Sequence, residues 1–257
     1  MAKYDLHTHL FTTWEQGNLS LERAPRNPDY LLDAVKAMGL DGIALANFCD
    51  TRFEQFADSA SQAVRYKLAK KLLNALIFEH REGQIKIIGA EETSTDKGHL
   101  LIIGKDYGSR IIPRSSLTSI DSRGASKIAD HFWDKHIGIG KTNLIELSSY
   151  FTAFERANSN FGNLSDEEVK ELEKTTGLFS ISTSDSHNRR DLGNAYIETS
   201  QDFDFSSEEN LRGSIEQTLK QRKFIPHFVR MNPYLSRLGH LFLVSYDVKI
   251  RRPLKLL

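Results

Sequence analysis

Asp5-Leu6-His7-Thr8-His9 stands almost at the start of the chain, with residue types and spacing that suit a divalent metal. On a β-strand side chains alternate between faces, so Asp5, His7 and His9 are expected to point the same way. Two imidazoles on one face can ligate an ion, and Asp5 can accept the ring N–H of a ligating histidine and hold its tautomer. A second pair, Asp185 and His187, lies in Ser182-Thr183-Ser184-Asp185-Ser186-His187, just after the apolar run Leu178-Phe179-Ser180-Ile181. That run reads as a buried strand. Between the two pairs come Ile87-Ile88-Gly89-Ala90-Glu91 and then Gly98-His99-Leu100-Leu101-Ile102-Ile103. Each acid or histidine thus sits beside a short apolar run, the layout of a barrel whose strand ends converge on one site.

The elements that would carry these residues are mostly strand, helix, strand. Asn27-Pro28-Asp29 predicts a capped helix that carries Leu31, Leu32, Val35 and Met38 and stops at Gly39. Ile43 to Ala46, Ile85 to Ile88, His99 to Ile103 and Leu144 to Leu147 read as strands, Phe53 to Glu82 as a long helix, and Ser126 to His136 as helical or mixed. Ser165 with Glu168 is a capping-box signature, and Ser206 with Glu209 repeats it ahead of a helix to about residue 222. This alternation favours a parallel sheet or barrel over a sandwich.

D-L-H-T-H, then G-x-E, then G-H-L-L-I-I-G, then S-D-S-H followed by Leu192-Gly193, resembles the PHP (polymerase and histidinol phosphatase) superfamily from Tyr4 to about Pro226. The resemblance implies an α/β fold, a distorted seven-stranded (β/α)7 TIM-like barrel, over residues 1–226. It implies a phosphoesterase site with His7, His9, Glu91 and Asp185 on one metal, and Glu91, His99 and a further histidine on a second. For that histidine His131, in Ile128-Ala129-Asp130-His131-Phe132, is the choice and His136 the competitor. The third metal of the family is not expected. Where the family has T-D-H this chain has Ala46-Asn47-Phe48, and Phe48 cannot ligate; only His187, with Glu15 or Asp50 as substitutes, remains for it.

Two divalent ions, zinc, manganese or iron given the mixed nitrogen and oxygen ligands, would yield a metal-activated hydroxide that attacks a phosphomonoester or phosphodiester. His187 would protonate the leaving oxygen, Asp5 would act through its histidine, and Arg190 or Arg189, with Lys141 behind them, would grip a substrate phosphate. The alternatives are a weakened barrel that binds nucleic acid or serves assembly, and a nuclease.

Size and composition bound these readings. The chain has 257 residues, 39% of them hydrophobic and 26% charged, which suits one barrel domain with a short appendage. The formal net charge is zero, so no global attraction to nucleic acid follows. The last stretch differs: residues 220–257 hold nine Lys or Arg against one acid, Asp247. Within it 227–257 is expected to be a basic helical extension packed on the barrel, a candidate surface for nucleic acid or an acidic partner. A lone Cys49 excludes an internal disulfide, and no signal peptide or bilayer-length apolar run is evident, so a cytoplasmic protein is expected.

Two tempting motifs are set aside. Gly138-Ile139-Gly140-Lys141-Thr142 lacks the first glycine of a phosphate loop, and an apolar strand is expected after it. Ser184 or Ser186 beside Asp185 and His187 lacks the separate segments and nucleophile elbow of a hydrolase triad.

Overall fold

A computed structural model describes residues 1–9, 26–49, 85–104, 115–122, 124–131, 134, 137–158, 162–186 and 191–229, with the backbone alone at 26–31 and 47–49. The elements run β1 (Ala2–His9), α1 (Arg26–Ala37), β2 (Gly42–Cys49), β3 (Lys86–Thr95), β4 (Gly98–Ile103), β5 (Ser126–Ala129) and α2 (Lys141–Glu146). They continue as β6 (Ala153–Asn158), β7 (Gly162–Asn163), α3 (Asp166–Thr176), β8 (Phe179–Thr183), β9 (Ala195–Thr199), α4 (Glu208–Lys220) and β10 (Phe224–Phe228). The long helix expected over 53–82 and residues 230–257 of the expected extension lie outside the described residues.

One ten-stranded sheet joins these strands in the order β10-β9-β1-β2-β3-β4-β5-β6-β7, with β8 paired to β6. It is mixed. β1–β2, β2–β3, β5–β6 and β6–β8 are parallel, while β9 runs antiparallel to both β1 and β10, and β4 to both β3 and β5. A parallel bridge between Thr8 and Ser186 draws the end of β8 onto the end of β1 and curls the sheet.

The expected (β/α)7 barrel is therefore not the fold. The chain forms a curled, mixed half-barrel, with four short helices among the described residues. The physical reason is visible at β3 and β4. Thr95 pairs with Gly98 across a two-residue turn, Asp96-Lys97, so the strands must run antiparallel, with no room for a crossover helix.

Helix boundaries follow local chemistry. Ser165 accepts the Glu168 amide at 3.2 Å and Glu168 accepts the Ser165 amide at 2.9 Å, so the capping box forms, and Gly177 closes α3 at φ 72°. The second signature slips by one residue: Ser207, not Ser206, caps α4 through the Asn210 amide. Two assignments reverse. The run Leu144 to Leu147, expected as a strand, belongs to α2 and the turn after it, and 126–129 forms strand β5. Short apolar runs fit either element, and here tertiary packing decided. With α2 following Gly140, the strand argument against a phosphate loop also falls, although the missing first glycine still excludes one.

Three apolar clusters fill the layers. Tyr4, Leu6, Ala44, Ile88, Leu101, Ile128, Ala153 and Ile181, with residues from every strand but β7, meet Ile215 and Leu219 of α4 on the inner face of the curl. On the outer face Val35 of α1 packs on Ile43, Leu45 and Ile87, and Val169 and Leu172 of α3 pack near Leu100, Ile102 and Phe154. Among the described residues no helix is long and apolar enough to cross a membrane.

Candidate metal centre

The parallel strands end at one rim of the inner face, and the start of antiparallel β4 lies at the same rim. Strand alternation then decides which side chains enter. On β3, Ile88 and Ala90 belong to the inner cluster, so Glu92 follows them inward while Glu91 falls on the other parity. On β4, His99 shares parity with Leu101 and Ile103, and on β5 and β6 Asp130 and Glu155 follow Ile128 and Ala153.

β1 breaks the alternation. Asp5 pairs with Ile43, but Thr8 pairs with Leu45, so one extra residue is inserted between them. This bulge switches parity: Tyr4 and Leu6 face inward below it, His7 and His9 above it. Asp5 consequently does not share their face. Its carboxylate accepts the backbone amides of Ser184 and Gly193, both at 3.1 Å, and so anchors the turn that presents Asp185. Burial pushes Asp5 up to about 6, against those hydrogen bonds. A second bulge, between Glu155 and Ala157, lets Glu155 and Asn158 both reach inward.

Two of the candidate ligands have left-handed backbone: His131 at φ 41° and Asp185 at φ 50°. Each turns the chain sharply just past the end of a strand and aims its side chain over the rim. Close backbone contact holds His131 there. A Cβ on Gly138 would lie 2.0 Å from the His131 carbonyl oxygen, and one on Gly98 would lie 2.5 Å from the Gly138 carbonyl. The His99 amide donates to the Ile137 carbonyl at 2.8 Å, so β4 and the 137–139 segment set His99 and His131 side by side.

The result is a buried cluster of His7, His9, His99, His131, Glu92, Asp130, Glu155 and Asp185. These residues form groups able to hold metal ions: one of His7, His9, Glu92 and Asp185, a second of Glu92, His99, Asp130 and His131, and a smaller third of His7, Asp130 and Glu155. In the first, His7 Nε2 lies 3.1 Å from His9 Nε2, 3.7 Å from Glu92 Oε2 and 3.5 Å from Asp185 Oδ1. His9 Nε2 is 3.3 Å from the same Glu92 oxygen and 3.1 Å from the same Asp185 oxygen. Bonds of about 2.0–2.1 Å in a tetrahedron separate neighbouring ligand atoms by roughly 3.3–3.4 Å, so these four atoms fit an ion. Glu92 turns its other oxygen, Oε1, to His99 Nδ1 at 2.6 Å and His131 Nε2 at 3.5 Å, and Asp185 Oδ2 is 3.7 Å from His131 Nε2. Glu92 thus serves both groups, while Asp185 completes the first and reaches toward His131 of the second.

Glu155 and Asp130 also meet the Nδ1 side of two histidines. His7 Nδ1 is 3.1 Å from Glu155 Oε1, and His131 Nδ1 is 3.2 Å from Glu155 Oε2. Asp130 Oδ1 is 3.5 Å from His7 Nδ1 and 3.1 Å from His131 Nδ1.

Charge dominates this pocket, because buried acids must be balanced. Burial pulls the His7 and His131 imidazoles down, but Asp130 with Asp185 in one case and Asp130 with Glu155 in the other carry both well above their ordinary value. His9 is raised against burial by Asp185 and Glu92. Burial pushes Glu92 up, yet His99 and hydrogen bonds from His131, His7 and His9 hold it well below the carboxylate range; His131 does the same for Glu155. Asp130 is driven well above it by burial and by Glu155.

The chain has the fold of PsfC from Pseudomonas syringae PB-5123, a crystal structure matched with TM-score 0.61 over 95% of this chain and 98% of that one, at 16% identity. No family model and no curated protein matches. At that identity the likeness concerns the fold alone.

Of the residues expected in the site, His7, His9, His99, His131 and Asp185 come together. Glu91 does not join them; Glu92 takes the position. Asp5 lies behind the Asp185 turn. Lys141 is exposed and pairs with Glu171 at 3.1 Å, away from the cluster. His187, Arg189, Arg190 and His136 lie outside the described residues, as do Glu15 and Asp50. Sequence reasoning missed Glu92, Asp130 and Glu155, whose faces follow from parity with Ile88, Ile128 and Ala153 once the core is known.

Proposed function

We propose that this chain is a metal-dependent phosphoric ester hydrolase, with two divalent ions of the zinc, manganese or iron type and chemistry like that of the PHP superfamily. The observation that carries the reading is Glu92, which offers one oxygen to each of two histidine-bearing groups, with Asp185 completing the first and its second oxygen 3.7 Å from His131 Nε2. The donor set supports it: mixed imidazole and carboxylate ligands suit these metals better than magnesium.

Ions held there supply Lewis acidity and a nucleophile from water at neutral pH. The chain's own residues do the rest. Glu92 and Asp185 fix the spacing of the ligand sets, and Asp5 anchors the turn that carries Asp185. His187 would protonate the leaving oxygen, and Arg190 would bind the phosphoryl oxygens through a charge-assisted fork. The substrate is a phosphorylated small molecule.

Assays on p-nitrophenyl phosphate and bis(p-nitrophenyl) phosphate with added Mn²⁺, repeated on Asp185→Asn, test the reading. Metal-dependent release of nitrophenol that Asp185→Asn abolishes is expected. Activity untouched by that substitution sinks it. No bound metal together with salt-sensitive RNA or DNA binding would instead favour a binding or assembly role for the basic C-terminal segment, and hydrolysis confined to oligonucleotides a nuclease.

A further inference from the structure

The acids at the Nδ1 side of the histidines carry an inference beyond the ligand sets themselves, resting on the two-ion reading above. His7 and His131 belong to different ligand sets, yet both turn Nδ1 to the same carboxylate, Glu155, at 3.1 and 3.2 Å. Their rings stack with centroids 5.6 Å apart and planes 20° from parallel. Each ring therefore keeps Nε2 for Glu92 and Asp185.

The Glu155 carboxylate is itself held. Its Oε1 accepts from the Thr183 hydroxyl, and its Oε2 accepts from the His131 backbone amide at 3.1 Å and, at 3.4 Å, from the Asn158 side-chain amide, whose nitrogen also lies 3.1 Å from His131 Nδ1. Asp130 approaches the same two ring nitrogens through Oδ1, at 3.5 and 3.1 Å, but no backbone amide or hydroxyl holds it among the described residues. A carboxylate clamped by donors from β6, β8 and the turn after β5 fixes a ring better than one that is not.

We infer that Glu155 is a positioning residue that orients His7 and His131 together and thereby couples the two ion positions. An acceptor on Nδ1 holds the tautomer that leaves Nε2 free to ligate. Because one acid serves a histidine from each set, its loss disturbs both positions, whereas loss of His9 or His99 disturbs one.

The test is titration of the metal-stripped full chain with Zn²⁺ by calorimetry, with ¹⁵N spectra of the histidine rings. Wild type binds two ions. Glu155→Gln, which keeps shape and loses the charge, weakens both about 10- to 100-fold and moves the Nδ1 resonances of His7 and His131. His9→Ala weakens one ion chiefly. Thr183→Val, a milder change for use if Glu155→Gln fails to fold by circular dichroism, weakens both in the same direction. Two ions bound by wild type and bound equally well by the folded Glu155 or Thr183 variant overturns the coupling alone, as does an effect confined to one ion. A third ion in wild type that Glu155→Gln removes also overturns it, since Glu155 would then be a ligand. A wild type that binds no ion overturns the two-ion reading and this inference together.

Discussion

The inner face of the sheet has two levels built by the same strands. Below, Tyr4, Leu6, Ile88, Leu101, Ile128 and Ile181 pack against α4. Above, one to four residues away in each segment, His7, Glu92, His99, Asp130 and Asp185 crowd one another at 2.6–3.5 Å. The lower level is ordinary packing, where any well-fitted apolar set serves. The upper level keeps strand alternation at Glu92, His99 and Asp130 but departs from it by bulges in β1 and β6 and by left-handed backbone at His131 and Asp185. The apolar level is therefore expected to carry most of the stability and the polar level the metal binding, and substitutions at the two levels should separate cleanly.

The largest effect is expected below. Leu101→Ala should lower unfolding free energy by about 2–5 kcal/mol in urea titration while leaving two ions bound. Equal losses of metal and stability would show that the levels are not separable. Next comes a paired test above. Glu92→Gln should weaken zinc at least about 100-fold, and Glu91→Gln, one residue away on the opposite parity, should leave it unchanged. The reverse result would restore Glu91 as the ligand.

Ion removal links the two levels. Metal at about 100 times its dissociation constant should add roughly 2.7 kcal/mol over chelated protein, read as a higher melting temperature. Superimposable melts with and without chelator would mean that no ion binds the native state. Acid should act through the upper level alone. His7, His9 and His131 are raised above their ordinary value in the ion-free protein, so an entering ion must displace their protons. Affinity should then fall as pH falls, by about tenfold per pH unit for each proton released, and a flat profile across neutral pH would refute this. Smallest is the cap of α3 on the outer face. Ser165→Ala should cost about 1 kcal/mol of stability and nothing in metal binding.

Some of this was legible in the residues. The D-x-H-x-H spacing and the S-D-S segment pointed to residues that the fold brings into groups able to hold a metal, because imidazoles two apart on a strand and a carboxylate just past another strand lie at strand ends. The capping box at Ser165 and Glu168 needed only its own four residues, and it formed as read. The choice of Glu91 over Glu92 failed for a different reason. Two adjacent acids differ only in the face they take, and that face is set by which neighbours reach the core. Asp5 failed because a bulge, invisible in the spacing, reversed parity between it and His7.

The amino-acid sequence by itself determined which segments are apolar, where α3 begins, and that histidines and acids cluster beside strand ends. Only the tertiary structure decided the mixed half-barrel over the (β/α)7 barrel, Glu92 over Glu91, and the place of Glu155 and Asp130 at the Nδ1 side of the rings. The physical reason is range. Caps and turns are satisfied by neighbours a few residues away, whereas parity, strand direction and ion-ligand distances depend on partners up to the length of the chain apart.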